Sequence, residues 1–91
     1  MAVTVRIPTT LRPLSGGAST VEVEPGALVD VIKALDAVHP GFQDRLLDEE
    51  GNLRRFVNVF VDDDDVRYLD GLATEVPDGQ TVSIIPAVAG G

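Results

Sequence analysis

The sequence predicts an α+β domain in which a sheet of four to five strands packs on one main helix. Two patterns carry this. Short runs at both ends and in the middle of the chain alternate apolar with polar residues, the period of half-buried strands. One stretch between them changes to helical period, with Leu28, Val31, Ile32, Leu35 and Val38 at i, i+3, i+4, i+7 and i+10. Ninety-one residues hold one domain with a modest core, and two domains would not fit.

In chain order, Val3, Val5 and Ile7 alternate with Thr4 and Arg6, which predicts a first strand that Pro8 helps to close. Thr9 to Ser19 contains Leu11, Pro13 and Gly16-Gly17, and reads as a hairpin connection or a longer loop. A second strand follows at Thr20 to Glu24 and is broken by Pro25-Gly26. The helix starts at Ala27, with Leu28 to Val38 as its core face and Asp30, Lys33 and Asp36 off that face. His39-Pro40-Gly41 stops it, because Pro disfavours helix at the residue before it and Gly supplies a terminating conformation.

A short helical turn at Phe42 to Leu47 would plug one edge of the core with Phe42, Leu46 and Leu47, ahead of an acidic loop at Asp48 to Asn52. The most strand-prone run is Phe56-Val57-Asn58-Val59-Phe60-Val61. If Val57, Val59 and Val61 face the helix, then Phe56, Asn58 and Phe60 lie on the other face, where a two-layer domain has nothing to cover them. Asp62 to Asp65 turns the chain into a short strand, Val66-Arg67-Tyr68, and Asp70 to Thr74 is a connection with room for one helical turn. Asp78-Gly79 is a turn before the last strand, which puts Val82 and Ile84 on one face and Thr81, Ser83 and Ile85 on the other. Pro86 removes a backbone donor and is expected to end ladder pairing. Residues 1–86 thus form the domain, and Ala87 to Gly91 a flexible tail.

Composition removes several function classes. There is no cysteine, so disulfides, thiolate metal sites and a cysteine nucleophile are excluded. Fifteen acidic residues against seven basic give a formal charge of −8, which repels nucleic acid and anionic membranes and favours basic protein partners. Apolar runs are too short to span a bilayer, and Met1 to Arg6 does not resemble a signal peptide, so a cytoplasmic protein is expected. No metal site is expected either. Asp62 to Asp65 fails the EF-hand pattern, with Arg67 where Gly is needed and Ala73 where a bidentate Glu is needed, and reads as a solvated turn. Gly16-Gly17 lacks the spacing and lysine of a phosphate loop, and His39 is paired with no nucleophile by any motif.

The chain end is the most specific feature. After the last strand and Pro86 come small or β-branched residues, Ala87-Val88-Ala89, and then Gly90-Gly91. Lacking Cβ atoms, two glycines pass through a channel where any side chain would clash. This end resembles that of the ubiquitin-like sulfur carriers, the family of MoaD, ThiS and CysO, and the wording Ile85-Pro86-Ala87-Val88-Ala89-Gly90-Gly91 is most similar to the CysO-type branch. The segment Arg55 to Val61, Asp65-Val66-Arg67, Gly71 to Thr74 and the insert from Pro40 to Asn52 also look CysO-like. The element order resembles a β-grasp (ubiquitin-like) domain, in which the first and last strands are central and parallel within a mixed sheet.

In the family resembled, an activating enzyme uses ATP and Mg to adenylate the terminal carboxylate, and a sulfur donor displaces AMP to leave a thiocarboxylate. Carried onto this chain, that implies Gly91 as the reacting residue, Gly90 and Ala89 threading the channel, and Ala87, Val88 and Pro86 directing the tail. The chain itself would be a co-substrate with no bound cofactor, not an enzyme. The CysO-type branch further implies a pyridoxal-phosphate-dependent cysteine synthase as acceptor and a zinc-dependent peptidase that releases cysteine. A MoaD-like branch would send sulfur to molybdopterin and a ThiS-like branch to thiazole. Phe56, Phe60 and Ile85 are the expected docking patch on the uncovered sheet face, since apolar anchors grip a partner while the tail enters its active site. Two readings of other classes stay open: a protein modifier, for which Lys33 is the sole lysine, and a plain interaction module. A monomer is the simplest expectation.

Overall fold

A computed structural model describes residues 2–55 and 57–86 of the chain. Strand β1 (Val3–Arg6) is followed by a 3-10 helix at Thr9–Ser15, then by β2 (Thr20–Val23) and the two-residue β3 (Gly26–Ala27). Helix α1 (Leu28–Val38) and the short α2 (Phe42–Leu46) precede β4 (Val57–Val61) and β5 (Asp64–Asp65). Two more 3-10 turns, at Val66–Tyr68 and Gly71–Ala73, lead to β6 (Glu75–Val76) and β7 (Thr81–Pro86). The main sheet has the order β2-β1-β7-β4-β5, with β1 and β7 parallel at its centre and the other pairs antiparallel. This is the β-grasp topology.

The core lies between the sheet and α1. Val3, Val5, Val57, Val59, Val61, Val82 and Ile84 point inward from alternate strand positions and meet Leu28, Val31, Ile32 and Leu35 of the helix. Phe42, Leu46 and Leu47 close one edge, as their spacing predicts. Val38 does not join them: it is 58% exposed. At 100° per residue the tenth residue after Leu28 has turned about 80° off the core-facing line, too far to share its burial.

Other departures have local causes. The stretch read as a loop after β1 winds into the 3-10 helix Thr9–Ser15, because Leu11 and Leu14 stand three apart, one full turn at that pitch, and both pack on the core. Its end is fixed by Ser15, whose hydroxyl lies 3.0 Å and 2.8 Å from the Arg12 and Ala18 carbonyls, and by Gly16 at φ 66°. Val66-Arg67-Tyr68 is a 3-10 turn and not a strand; the hairpin partner of β4 is Asp64–Asp65. The pairing of β3 with β6 was not foreseen, since two-residue strands are too short to show a period. It ties the start of α1 to the last connection, where the Leu28 N–H donates to the Thr74 carbonyl at 2.8 Å.

Pro86 corrects a further expectation. It does not end the pairing: β7 runs through it, and Pro86 stands opposite Val57. Antiparallel strands alternate hydrogen-bonded and non-bonded pairs, and Val57 sends its N–H to Arg54 instead, at 3.1 Å. A missing donor costs nothing at a pair of the second kind.

Candidate functional site

The last strand leaves the sheet between two neighbours that hold it unequally. On one side β4 accompanies β7 to its last residue, through Asn58 opposite Ile85 and Val57 opposite Pro86. On the other side the register of β1 with β7 ends at Arg6 opposite Ser83. Continued by two residues it would set Pro8 beside Ile85, but the donors needed there are those that Pro8 and Pro86 lack. The strands part, and a groove of about 390 Å³ opens, lined by Arg6, Pro8, Arg12, Ser83, Ile85 and Pro86 among others.

Parity decides what the outer sheet face presents. With Val82 and Ile84 buried, Ile85 is 49% exposed, and Phe60 is half-buried on the adjacent strand. Phe60 pairs with Ser83, so Ile85 is its diagonal neighbour, within reach of an aromatic ring. Two of the three expected patch residues are thus brought together. Phe56, the third, lies outside the described residues, as do the tail positions Ala87, Val88, Ala89, Gly90 and Gly91.

Beside this patch sits an arrangement that sequence reasoning did not single out. Asp62, at φ 55°, permits the tight reversal between β4 and β5, and its carboxylate accepts the Thr81 N–H at 3.1 Å. Asp65 then accepts the Arg67 N–H at 2.9 Å and starts the 3-10 turn. This return lays the Arg67 guanidinium along β4, where it donates to Asn58 Oδ1 and to the Val57 carbonyl at 2.9 Å, with longer contacts to the Arg54 and Arg55 carbonyls. One side chain thereby gathers the chain entering β4 directly opposite Pro86. No spacing rule exposes this, because nine residues and a reversal separate Asn58 from Arg67.

The remaining candidates are structural. His39 follows α1 with its ring edge-on to Phe42, centroids 6.4 Å apart. Two of the four aspartates at 62–65 serve as turn acceptors, and among the described residues no three His, Cys, Asp or Glu side chains are grouped to hold a metal ion. No helix is long and apolar enough to cross a membrane among those residues. The site is therefore a strand end with an apolar outer patch, a groove lined by Arg6 and Arg12, and the Arg67 guanidinium braced along β4.

Known proteins share this framework. The ThiS family model matches residues 5–91. A sulfur carrier protein, CysO of Mycobacterium tuberculosis, is 50% identical over 93 residues, covering 100% of both chains. The small archaeal modifier protein 3 of Haloferax volcanii is 39% identical over 93 residues, again with 100% of both covered. Among solved structures, a chain of the Amycolatopsis orientalis BexX/CysO complex superposes with a TM-score of 0.93 at 49% identity, covering 99% of this chain and 100% of that one.

Proposed function

Because this chain belongs to the ThiS family, we propose that it is a sulfur carrier whose C-terminal Gly91 is converted to a thiocarboxylate by a partner enzyme and then supplies sulfur to an acceptor. The observation that carries the reading is the exit of β7: the central strand, parallel to β1 and paired with β4 up to Pro86, is the one that runs on into Ala87 to Gly91. A central strand that β4 accompanies to its last residue makes a base from which a short segment can be presented.

A carboxylate is a poor acyl donor, since no group can leave from it. Its oxygen must first attack the α-phosphorus of ATP, releasing pyrophosphate and forming an acyl adenylate. A sulfur nucleophile then attacks the acyl carbon and AMP leaves with the bonding pair, which puts sulfur on Gly91. ATP, Mg and the general acid-base groups belong to the activating partner. This chain contributes recognition, through Phe60, Ile85 and Phe56, and a tail slim enough at Gly90 to enter an active site.

The likeness to CysO supports cysteine formation as the destination, with a pyridoxal-phosphate-dependent synthase as acceptor and a zinc-dependent peptidase regenerating the carrier. MoaD-like delivery to molybdopterin and ThiS-like delivery to thiazole use the same first step. A second reading, conjugation to lysines of other proteins, draws on the likeness to a small archaeal modifier. Intact mass of the protein from its own cells separates these readings: one oxygen replaced by sulfur at the C-terminus, reactive with a thiocarboxylate-selective reagent, is expected. An unmodified carboxylate, even after incubation with the cognate activating enzyme, ATP and a sulfur donor, overturns sulfur transfer, and isopeptide-linked Gly91 would establish conjugation.

A further inference from the structure

Five of the seven basic residues, Arg6, Arg12, Arg54, Arg55 and Arg67, gather at the end of the sheet where β7 leaves, although the chain as a whole carries −8. Arg6 and Arg12 line the groove between β1 and β7. On the other side of Pro86, at the start of β4, the Arg67 guanidinium reaches the backbone carbonyls of Arg54 and Arg55, while the Arg54 side chain turns to the Asp44 carbonyl. The bonds of these side chains do not neutralise them: Arg12 donates to the Ile7 carbonyl at 3.3 Å, Arg54 to the Asp44 carbonyl at 3.0 Å, and Arg67 to carbonyls and an amide oxygen. Carbonyl and amide acceptors fix a guanidinium in place and leave its charge intact. Of the acidic residues beside these arginines, Asp65 turns its carboxylate to a backbone N–H, and Asp44 meets Arg54 through its backbone carbonyl.

From this placement, and resting on the carrier reading, we infer that the arginines form a basic collar around the base of the tail, and that the Arg6–Arg12 groove receives an acidic segment of the activating enzyme at the mouth of its tail channel. Charge distribution selects this occupant. An acidic enzyme surface is repelled by most of this chain and attracted only by the collar, so collision is productive only when the tail leads. The groove suits a carboxylate side chain, because two arginines offer planar forked donors while Pro8, Ile85 and Pro86 supply apolar walls that limit screening by water. Nucleic acid, the other polyanion such a collar could attract, would face the remaining negative surface along its length.

The test is ATP-pyrophosphate exchange with the cognate activating enzyme, measured for the wild-type chain, for Arg6→Glu/Arg12→Glu, for the neutral Arg6→Gln/Arg12→Gln pair, and for Lys33→Glu on the exposed face of α1. Reversal is expected to lower kcat/KM by about tenfold or more at low salt with kcat unchanged, the neutral pair to fall between, and Lys33→Glu to match wild type. The wild-type kcat/KM should decline with added salt, and that of the reversed pair should not. Unchanged kcat/KM in the reversed pair, or an equal loss from Lys33→Glu, overturns the groove while leaving the carrier reading in place. No exchange with the wild-type chain would overturn the carrier reading and the groove with it. Thermal melts of all variants exclude misfolding as the cause.

Discussion

Arg67 donates to the side-chain oxygen of Asn58 across the outer face of β4, and the same guanidinium takes the Val57 carbonyl at 2.9 Å. Asn58 stands opposite Ile85 and Val57 opposite Pro86, so this one arginine braces the strand that braces the base of the tail. A hydrogen bond from a charged donor contributes about 1.5–3 kcal/mol, and the exposure of Arg67 puts its share at the lower end. Arg67→Ala should therefore destabilise the protein by about 1–2 kcal/mol in urea denaturation. Arg67→Lys should recover little of this, because a single ammonium cannot span an amide oxygen and a carbonyl as a planar fork does.

Gly41 shows a different constraint. It lies at φ 111° between the two helices, a conformation that side-chain-bearing residues rarely adopt, and a Cβ built there would stand 3.2 Å from a Leu14 methyl. Its N–H and that of Gln43 both donate to Asp36 Oδ1, at 3.0 and 3.1 Å. Gly41→Ala is expected to cost about 1–3 kcal/mol from backbone strain. Asp36→Ala should cost about 1 kcal/mol, as loss of a helix cap does. Paired urea titrations check both, and equal stability of Gly41→Ala and wild type would show that the turn can relax.

These two sites mark where the sequence stopped being legible. Burial of Val57, Val59 and Val61, and exposure of Ile85 beside Phe60, follow from strand parity alone, and parity needs no tertiary information. The core face of α1 follows from helical period up to Leu35 and fails at Val38, where extending the count carried it off the face. Asp36, by contrast, showed only that it was off that face; its role as a double acceptor depends on where Gly41 bends the chain. The Arg67 brace was hidden for the same reason, since it exists only once Asp62 at positive φ has reversed β4 onto β5. The chemistry proposed for Gly91 rests on the wording of residues 85–91 and on the family, and geometry adds the exit of β7 at Pro86, since Ala87 to Gly91 lie outside the described residues.

The outer patch can be probed without touching the tail. Ile85 is half exposed, so Ile85→Asp removes apolar contact area with little loss of core, and stability should change by no more than about 1 kcal/mol. If Ile85 and Phe60 anchor the activating enzyme, the same change should raise the KM for this chain by about tenfold or more, as loss of an interface anchor does, with kcat nearly intact. Phe60→Ala should act in the same direction with a larger cost in stability, because Phe60 is half-buried. An unaltered KM in Ile85→Asp would place the grip elsewhere on the surface.

Gly90 separates the tail's passage from its chemistry. Its side chain is a hydrogen, and the reaction proposed for this chain takes place on the residue after it, Gly91. Gly90→Val keeps the terminal carboxylate but adds a β-branched side chain that a channel built for glycine must exclude. Deletion of Gly91 leaves Gly90 as the terminus and moves the carboxylate back by one residue, roughly 3.3–3.6 Å of extended chain, beyond the tolerance for in-line attack on a bound nucleotide. Both variants should fold like wild type and bind the activating enzyme through the body, yet neither should support pyrophosphate exchange above about 1% of the wild-type rate. They should also inhibit the wild-type chain competitively. Exchange by the shortened chain at the wild-type rate would remove Gly91 from the reaction and, with it, the reading of the terminus as the sulfur-bearing group.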